Sequence, residues 1–262
     1  MASTPPIVLP DREAVGRAVA ERIADGIEHA ITEGRRYLLG CPTGRTPDPV
    51  YTELERLVRE RGLDLSGVAI VLMDEYVVPD GDGLALVDAD LPHSCVGYAE
   101  RRILGPLTAA AEAGGHRGPQ LWHADPADPA AYDERIREAG GVDLFILAAG
   151  SGDGHLAFNP PGSARDSITR IVDLAEQTRR DNLLTFPSFD SLDDVPHQGI
   201  SVGIATIIEL SSEVVMILTG DEKRRSFARI LAADAYEPDW PATAYAEAAH
   251  GTLIADTAAA AG

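Results

Sequence analysis

Residues 142–155 read VDLFILAAGSGDGH. From Leu144 to Ala149 every side chain is apolar, without the alternation of a strand that has one wet face. Such a run predicts a strand buried on both faces, the kind found in parallel sheets covered by helices. It ends in a glycine-rich loop that carries Asp153 and His155 two positions apart.

Outward from this run, apolar strands and amphipathic helices alternate. Upstream, the spacing predicts helices over 11–34, 48–62, 95–112 and 129–139, the first stopping at Gly34. Between them lie the apolar runs Tyr37–Gly40, which leads into CPTGRTP, and Val68–Met73, which ends in Asp74-Glu75. Downstream, residues 172–183 and 221–233 read as helices, and Val202–Ile208, Val214–Leu218 and Leu253–Ala255 as strands. The polar stretches 77–93 and 184–198 are expected to be lid loops, and the tail ADTAAAAG is expected to fray. No repeat or linker divides residues 1–262, so a single domain is expected. The fold class is α/β: an open, mostly parallel central sheet with helices on both faces.

Composition excludes several function classes. The formal charge is −20, which repels nucleic acid and anionic membranes, so neither is expected as a partner. No run of about 18 uncharged apolar residues could span a bilayer. The opening residues lack a basic segment followed by an apolar one, and the expected compartment is the cytoplasm. Two cysteines, Cys41 and Cys95, are too few for a disulfide scaffold. There is no CxxC or HxxxH pair, and no metal is expected.

The unusual residues sit where predicted strands end, which is where open α/β sheets bind ligands. Thr43-Gly44-Arg45-Thr46 follows a strand and precedes a helix. A small-residue turn there can hold an anion on backbone N–H groups. It also reads as a plain turn, with Thr46 as N-cap and Pro47 opening the helix. Asp74 and Glu75 fit either a buried base or a pair of loop-capping acids. Asp153 and His155 can share a hydrogen bond that sets the imidazole tautomer, or can be a solvated loop pair. Arg179 and Arg180 lie on one helix, as an anion site or as a solvated face. Of 22 basic residues only Lys223 is lysine, and it follows a strand end.

Taken together, LGCPTGRTP, LMDEYV, VDLFILAAGSGDGHLAFNPP, TRI, TRRDN, SVGIATII and VMILTGDEK resemble the glucosamine-6-phosphate deaminase / 6-phosphogluconolactonase superfamily. The chain looks closer to the deaminases, because it reads DGHLAFN where lactonases typically read DGHTAS. The resemblance implies a Rossmann-like sheet of about seven strands, with no metal or cofactor. It assigns Asp74 the transfer of a proton between C1 and C2, matches Asp153 and His155 to the pair beside that base, and gives His155 the opening of the pyranose ring. It assigns Thr43, Gly44, Arg45, Thr46, Arg179 and Lys223 to the substrate phosphate. One departure stands out. Deaminases carry Glu after DGHLAFN, and this chain carries Pro160. Glu75 and Asp166 are the candidates to serve His155 in its place. The implied activity is conversion of glucosamine 6-phosphate, or a related amino-sugar phosphate, to the ketose phosphate plus ammonia. The alternatives are lactone hydrolysis, isomerisation of another sugar phosphate, and a non-catalytic sensor. Monomers and hexamers both occur among deaminase relatives, which leaves a homo-oligomer open.

Overall fold

The computed structural model describes residues 5–261, with Leu184 and Thr185 described by backbone alone. In chain order the strands are β1 (Ile7–Leu9), β2 (Tyr37–Cys41), β3 (Val68–Leu72), β4 (Asp74–Asp80), β5 (Gly83–Leu86) and β6 (Gln120–Trp122). There follow β7 (Val142–Ala148), β8 (Arg170–Asp173), β9 (Gln198–Ser201), β10 (Ser211–Leu218) and β11 (Gly251–Asp256). The helices are α1 (Arg12–Glu33), α2 (Asp48–Arg61), α3 (Cys95–Ala99), α4 (Gly105–Ala113) and α5 (Ala130–Glu138). After them come α6 (Glu176–Thr185), α7 (Ile204–Glu209), α8 (Arg224–Ala232) and α9 (Thr257–Ala260).

Seven strands form the central sheet in the order β1-β11-β10-β7-β2-β3-β6, and every pairing in it is parallel. The all-apolar runs are its middle. Successive side chains point to opposite faces, so Leu39, Ile146 and Ile217 join a core with α1, α2 and α4. Leu38, Phe145, Leu147 and Met216 join a second core with α5, α7 and α8. Helix α1 begins and ends where the sequence says it should. Asp11 caps α1 by accepting from the Ala14 N–H at 2.7 Å, and Gly34 closes it at φ 67°.

A second sheet, not foreseen, runs β5-β4-β9-β8 and is antiparallel throughout. It starts one residue beyond β3, so Asp74 and Glu75 open a strand rather than end one. Much of the expected 77–93 lid belongs to this sheet. Val77–Asp80 pairs with Gly83–Leu86 in a hairpin. Pro79 and the Asp-Gly turn disguised it, yet β4 pairs with β9 only over residues 74–77, so Pro79 lies beyond that ladder. Of the helix expected over 172–183, residues 172 and 173 instead end β8, and α6 begins at Glu176.

Two further expectations are corrected. The β-branched run Val202–Ile208 is not a strand, because Ile204–Glu209 is helix α7. The Thr206 Oγ1 accepts from the Gly203 N–H at 3.1 Å, which caps the helix start. All of Ile204–Ile208 is buried, so packing overrides strand propensity. The tail does not fray at once. Asp256 caps α9 by accepting from the Ala259 N–H at 2.8 Å, and Ala259 is buried.

Helix α7 is anchored through its Thr206 hydroxyl, which donates to the buried Asp133 carboxylate of α5. Asp133 also accepts from the Thr169 N–H at 3.1 Å. Thr206→Val keeps the shape and leaves a buried carboxylate one donor short. The expected cost is about 1–3 kcal/mol of unfolding free energy, read by denaturant titration.

Candidate active site

A cleft of about 750 Å³ opens beyond the carboxyl ends of β10, β7, β2 and β3. From the β2–β7 junction the chain runs to β3 on one side and to β10 on the other. Such a switch point leaves a crevice between loops that diverge.

One corner of the cleft is built for an anion. The loop Pro42–Thr46 lines it, and Gly44 sits at φ 97°, a conformation that a side chain would strain. Pro47 occupies the N-cap of α2 and no side chain caps that helix, so the Thr46 hydroxyl is not spent there. Arg45 and Lys223 both line the corner. The Lys223 Nζ donates to the Ala149 carbonyl at 2.6 Å, and burial lowers its pKa. Its loop is held by Asp256, whose carboxylate accepts from the Gly220 N–H at 3.0 and 3.1 Å. Arg12, which the sequence did not single out, also lines the cleft and donates to the Arg45 carbonyl at 3.0 Å.

The acid–base groups lie in the same cleft. His155 Nδ1 is 2.8 Å from Asp153 Oδ1, which also accepts from the His155 N–H at 3.1 Å. A carboxylate only accepts, so Nδ1 carries the proton and Nε2 is left as the free ring nitrogen. A Cβ on Gly150 would stand 2.3 Å from the imidazole, so only glycine fits beneath it. Burial pushes the Asp153 carboxyl up, but the hydrogen bonds and charge of His155 outweigh it and hold it below its ordinary value. Asp74 lines the cleft and is partly buried. Desolvation pushes its carboxyl up to about 7; a Cys95 thiol hydrogen bond and His155 pull it down, and Glu75 adds to the rise. A base with that value is poised near neutral pH. The Thr43 hydroxyl donates to the Cys95 sulfur at 3.4 Å, so the anion loop and Asp74 share a neighbour.

Other candidates are placed elsewhere. Arg179 is only 9% exposed and does not line the cleft. Its guanidinium donates to the Leu192 and Val195 carbonyls and meets His197 Nε2 at 3.3 Å. In this conformation it braces the 186–197 loop rather than facing the anion corner. Glu75 is 1% exposed and fully engaged: it accepts from the N–H groups of Tyr76, Cys95 and Val96 and from the Ser94 hydroxyl, at 2.7–3.0 Å. Asp166 is exposed and outside the cleft. Neither acid stands in for the absent Glu. Pro160 itself accepts from the Ser163 N–H and hydroxyl through its carbonyl. Tyr76, His93, Phe158 and Phe186 form an aromatic wall, which no sequence pattern marked beyond His93 on an expected lid. Among the described residues no group of three or more His, Cys, Asp or Glu is placed to hold a metal ion, and no helix is long and apolar enough to cross a membrane.

The family described as glucosamine-6-phosphate isomerases/6-phosphogluconolactonase matches residues 10–255. A glucosamine-6-phosphate deaminase from Streptomyces coelicolor is 38% identical, over 97% of this chain and 90% of its own length. A solved monomeric glucosamine-6-phosphate deaminase superposes with a TM-score of 0.82 at 26% identity, covering 98% of this chain and 99% of that one. A 6-phosphogluconolactonase from Shewanella baltica shares the fold, with a TM-score of 0.67 at 18% identity, covering 98% and 99%.

The raised Asp74 value makes a stability prediction. Its ordinary value is 3.8 and its folded value about 7, so the fold favours the neutral acid. Ionisation therefore costs stability as pH rises from the first value to the second, at about 1.4 kcal/mol per unit before solvent screening. Asp74→Asn should melt above the wild type at pH 8, and the gain should vanish near pH 4. Thermal melts across that range check it.

Proposed function

We propose, for a chain that belongs to the glucosamine-6-phosphate isomerase/6-phosphogluconolactonase family, that it is an enzyme converting a 2-amino-2-deoxyhexose 6-phosphate to the ketose 6-phosphate and ammonia. The simplest substrate is glucosamine 6-phosphate. The observation that carries this reading is the meeting, in one cleft, of a carboxyl poised near 7, an Asp–His pair and a cationic corner.

The phosphate binds at Thr43–Thr46 and Lys223, with Arg45 and Arg12 adding charge. His155 moves the proton at the ring oxygen through Nε2, while Asp153 steadies the imidazole. Asp74 takes the proton from C2 and returns it at C1. The enol-amine becomes a ketimine, water adds at C2, and ammonia leaves. Two positioned proton carriers suffice, because the C2–H is acidified by its carbonyl neighbour. The reading includes a cytoplasmic setting, which suits the free, buried thiols of Cys41 and Cys95.

Pro160 favours a second reading, hydrolysis of a phosphorylated sugar lactone. That reaction needs one base and the same anion corner, and no acid at residue 160. Ammonia release from glucosamine 6-phosphate supports the first reading. Alkali uptake on 6-phosphogluconolactone, without ammonia release, overturns it in favour of the second.

Two variants probe the roles. Asp74→Asn should abolish exchange of the C2 proton with solvent while phosphate-dependent binding persists, which NMR in deuterated water follows. Wild-type exchange in that variant removes Asp74 as the base. Lys223→Ala should lose roughly 1.5–3 kcal/mol of binding to a phosphorylated sugar, the worth of a charge-assisted hydrogen bond. The unphosphorylated sugar should lose little, and calorimetry on both compares them.

A further inference from the structure

His93 presents a cost that the ligand-free fold does not recover. It is 8% exposed, and its Nδ1 is buried with no hydrogen-bond partner. Aromatic rings surround it: Tyr76 edge-on at 5.4 Å between centroids, Phe189 at 4.6 Å and Phe186 at 6.2 Å. A phenylalanine would fill such a box without leaving a polar atom unpaired. Burial lowers the pKa of His93, so the ring is neutral at neutral pH. A neutral imidazole carries one N–H. A donor trapped without an acceptor is the costlier orphan, so the proton belongs on Nε2 rather than on Nδ1.

The ring also lines the cleft, on the side of the acid–base groups. Asp74 and Tyr76 are two apart on β4, so their side chains share a face of the strand, and both line the cleft. His93 packs against that Tyr76 ring, and Ser94 beside it donates to Glu75. The cationic corner is assembled from other segments, the β2–α2 loop and the residues after β10.

We infer that His93 is a substrate-recognition residue: its neutral ring donates through Nε2 to an uncharged oxygen of the sugar, at the end of the chain remote from the phosphate. The subsite takes a hydroxyl or carbonyl oxygen held against aromatic faces. This inference rests on the proposal that a sugar phosphate occupies the cleft. It does not depend on which residue is the base.

The test is equilibrium binding of inorganic phosphate, fructose 6-phosphate and glucosamine 6-phosphate to wild type and to His93→Phe, with melting of both ligand-free proteins. In the wild type the sugar phosphates should bind tighter than inorganic phosphate. In His93→Phe that advantage should shrink by roughly 3- to 10-fold, the worth of one neutral hydrogen bond. Binding of inorganic phosphate should be unchanged, and the variant should melt at or above the wild type. His93→Gln, which keeps an N–H donor, should recover part of the sugar advantage. A full sugar advantage in His93→Phe overturns the inference and leaves the proposed function standing. Equal loss for inorganic phosphate and sugar phosphates, or a drop in melting temperature, assigns the ring a structural role instead. No sugar advantage in the wild type overturns both.

Discussion

The buried carboxylate of Glu75 holds this architecture together. It is the second residue of β4, just beyond the central sheet, and it accepts four hydrogen bonds, three of them from Ser94, Cys95 and Val96. Those donors are the N-cap and opening residues of α3. A carboxylate there satisfies orphan N–H groups and meets the positive end of the peptide dipoles. The same contacts join the small antiparallel sheet to the helical layer. They fix Asp74 on one side and the His93–Cys95 segment on the other. A buried anion is tolerable only when fully paired, so the geometry around it has little freedom.

Electrostatics in the cleft runs against the charge of the whole molecule. The chain carries −20, yet Arg12, Arg45 and Lys223 line one corner of the cleft. Long-range attraction cannot bring an anion to such a protein; short-range donors and local charge must capture it. The lone lysine suits that place. Its compact ammonium fits a site where it donates to the Ala149 carbonyl, just past β7, at 2.6 Å. A guanidinium fork needs more room and spreads its donors. In the same cleft, Asp74 experiences the opposite pressure, since desolvation favours its neutral form.

The sequence made the middle of the fold legible and the small sheet illegible, for physical reasons. Leu144–Ala149 and Val214–Leu218 are buried on both faces, and so are apolar throughout. The strands β5, β8 and β9 have four residues each, and the longer β4 ends in Pro79 and Asp80, which mimic a loop. SVGIATII misled because burial on every side removes the periodicity that separates helix from strand. In the site, Thr43–Thr46, Asp74, Asp153, His155 and Lys223 all line the cleft or pair beside it, since they follow strand ends. Glu75 was ambiguous because a capping acid and a basic one look alike without the helix it caps. Arg179 could not be placed from sequence: its partners are backbone carbonyls, which leave no trace in residue identity.

The position of β11 has a consequence for synthesis on the ribosome. In the central sheet the N-terminal β1 pairs only with β11, and β11 separates it from β10. Ile7–Leu9 therefore leaves the exit tunnel with no sheet partner and waits until residues 254–256 have been made. The Gly220 loop waits for the same segment, because Asp256 supplies its acceptor. The anion corner is thus completed only after β11 has been made. A chain halted before β11 contains the Lys223 loop but lacks the Asp256 carboxylate that holds it. Contacts of such long sequence separation slow folding, and here they also tie the cleft to the synthesis of β11.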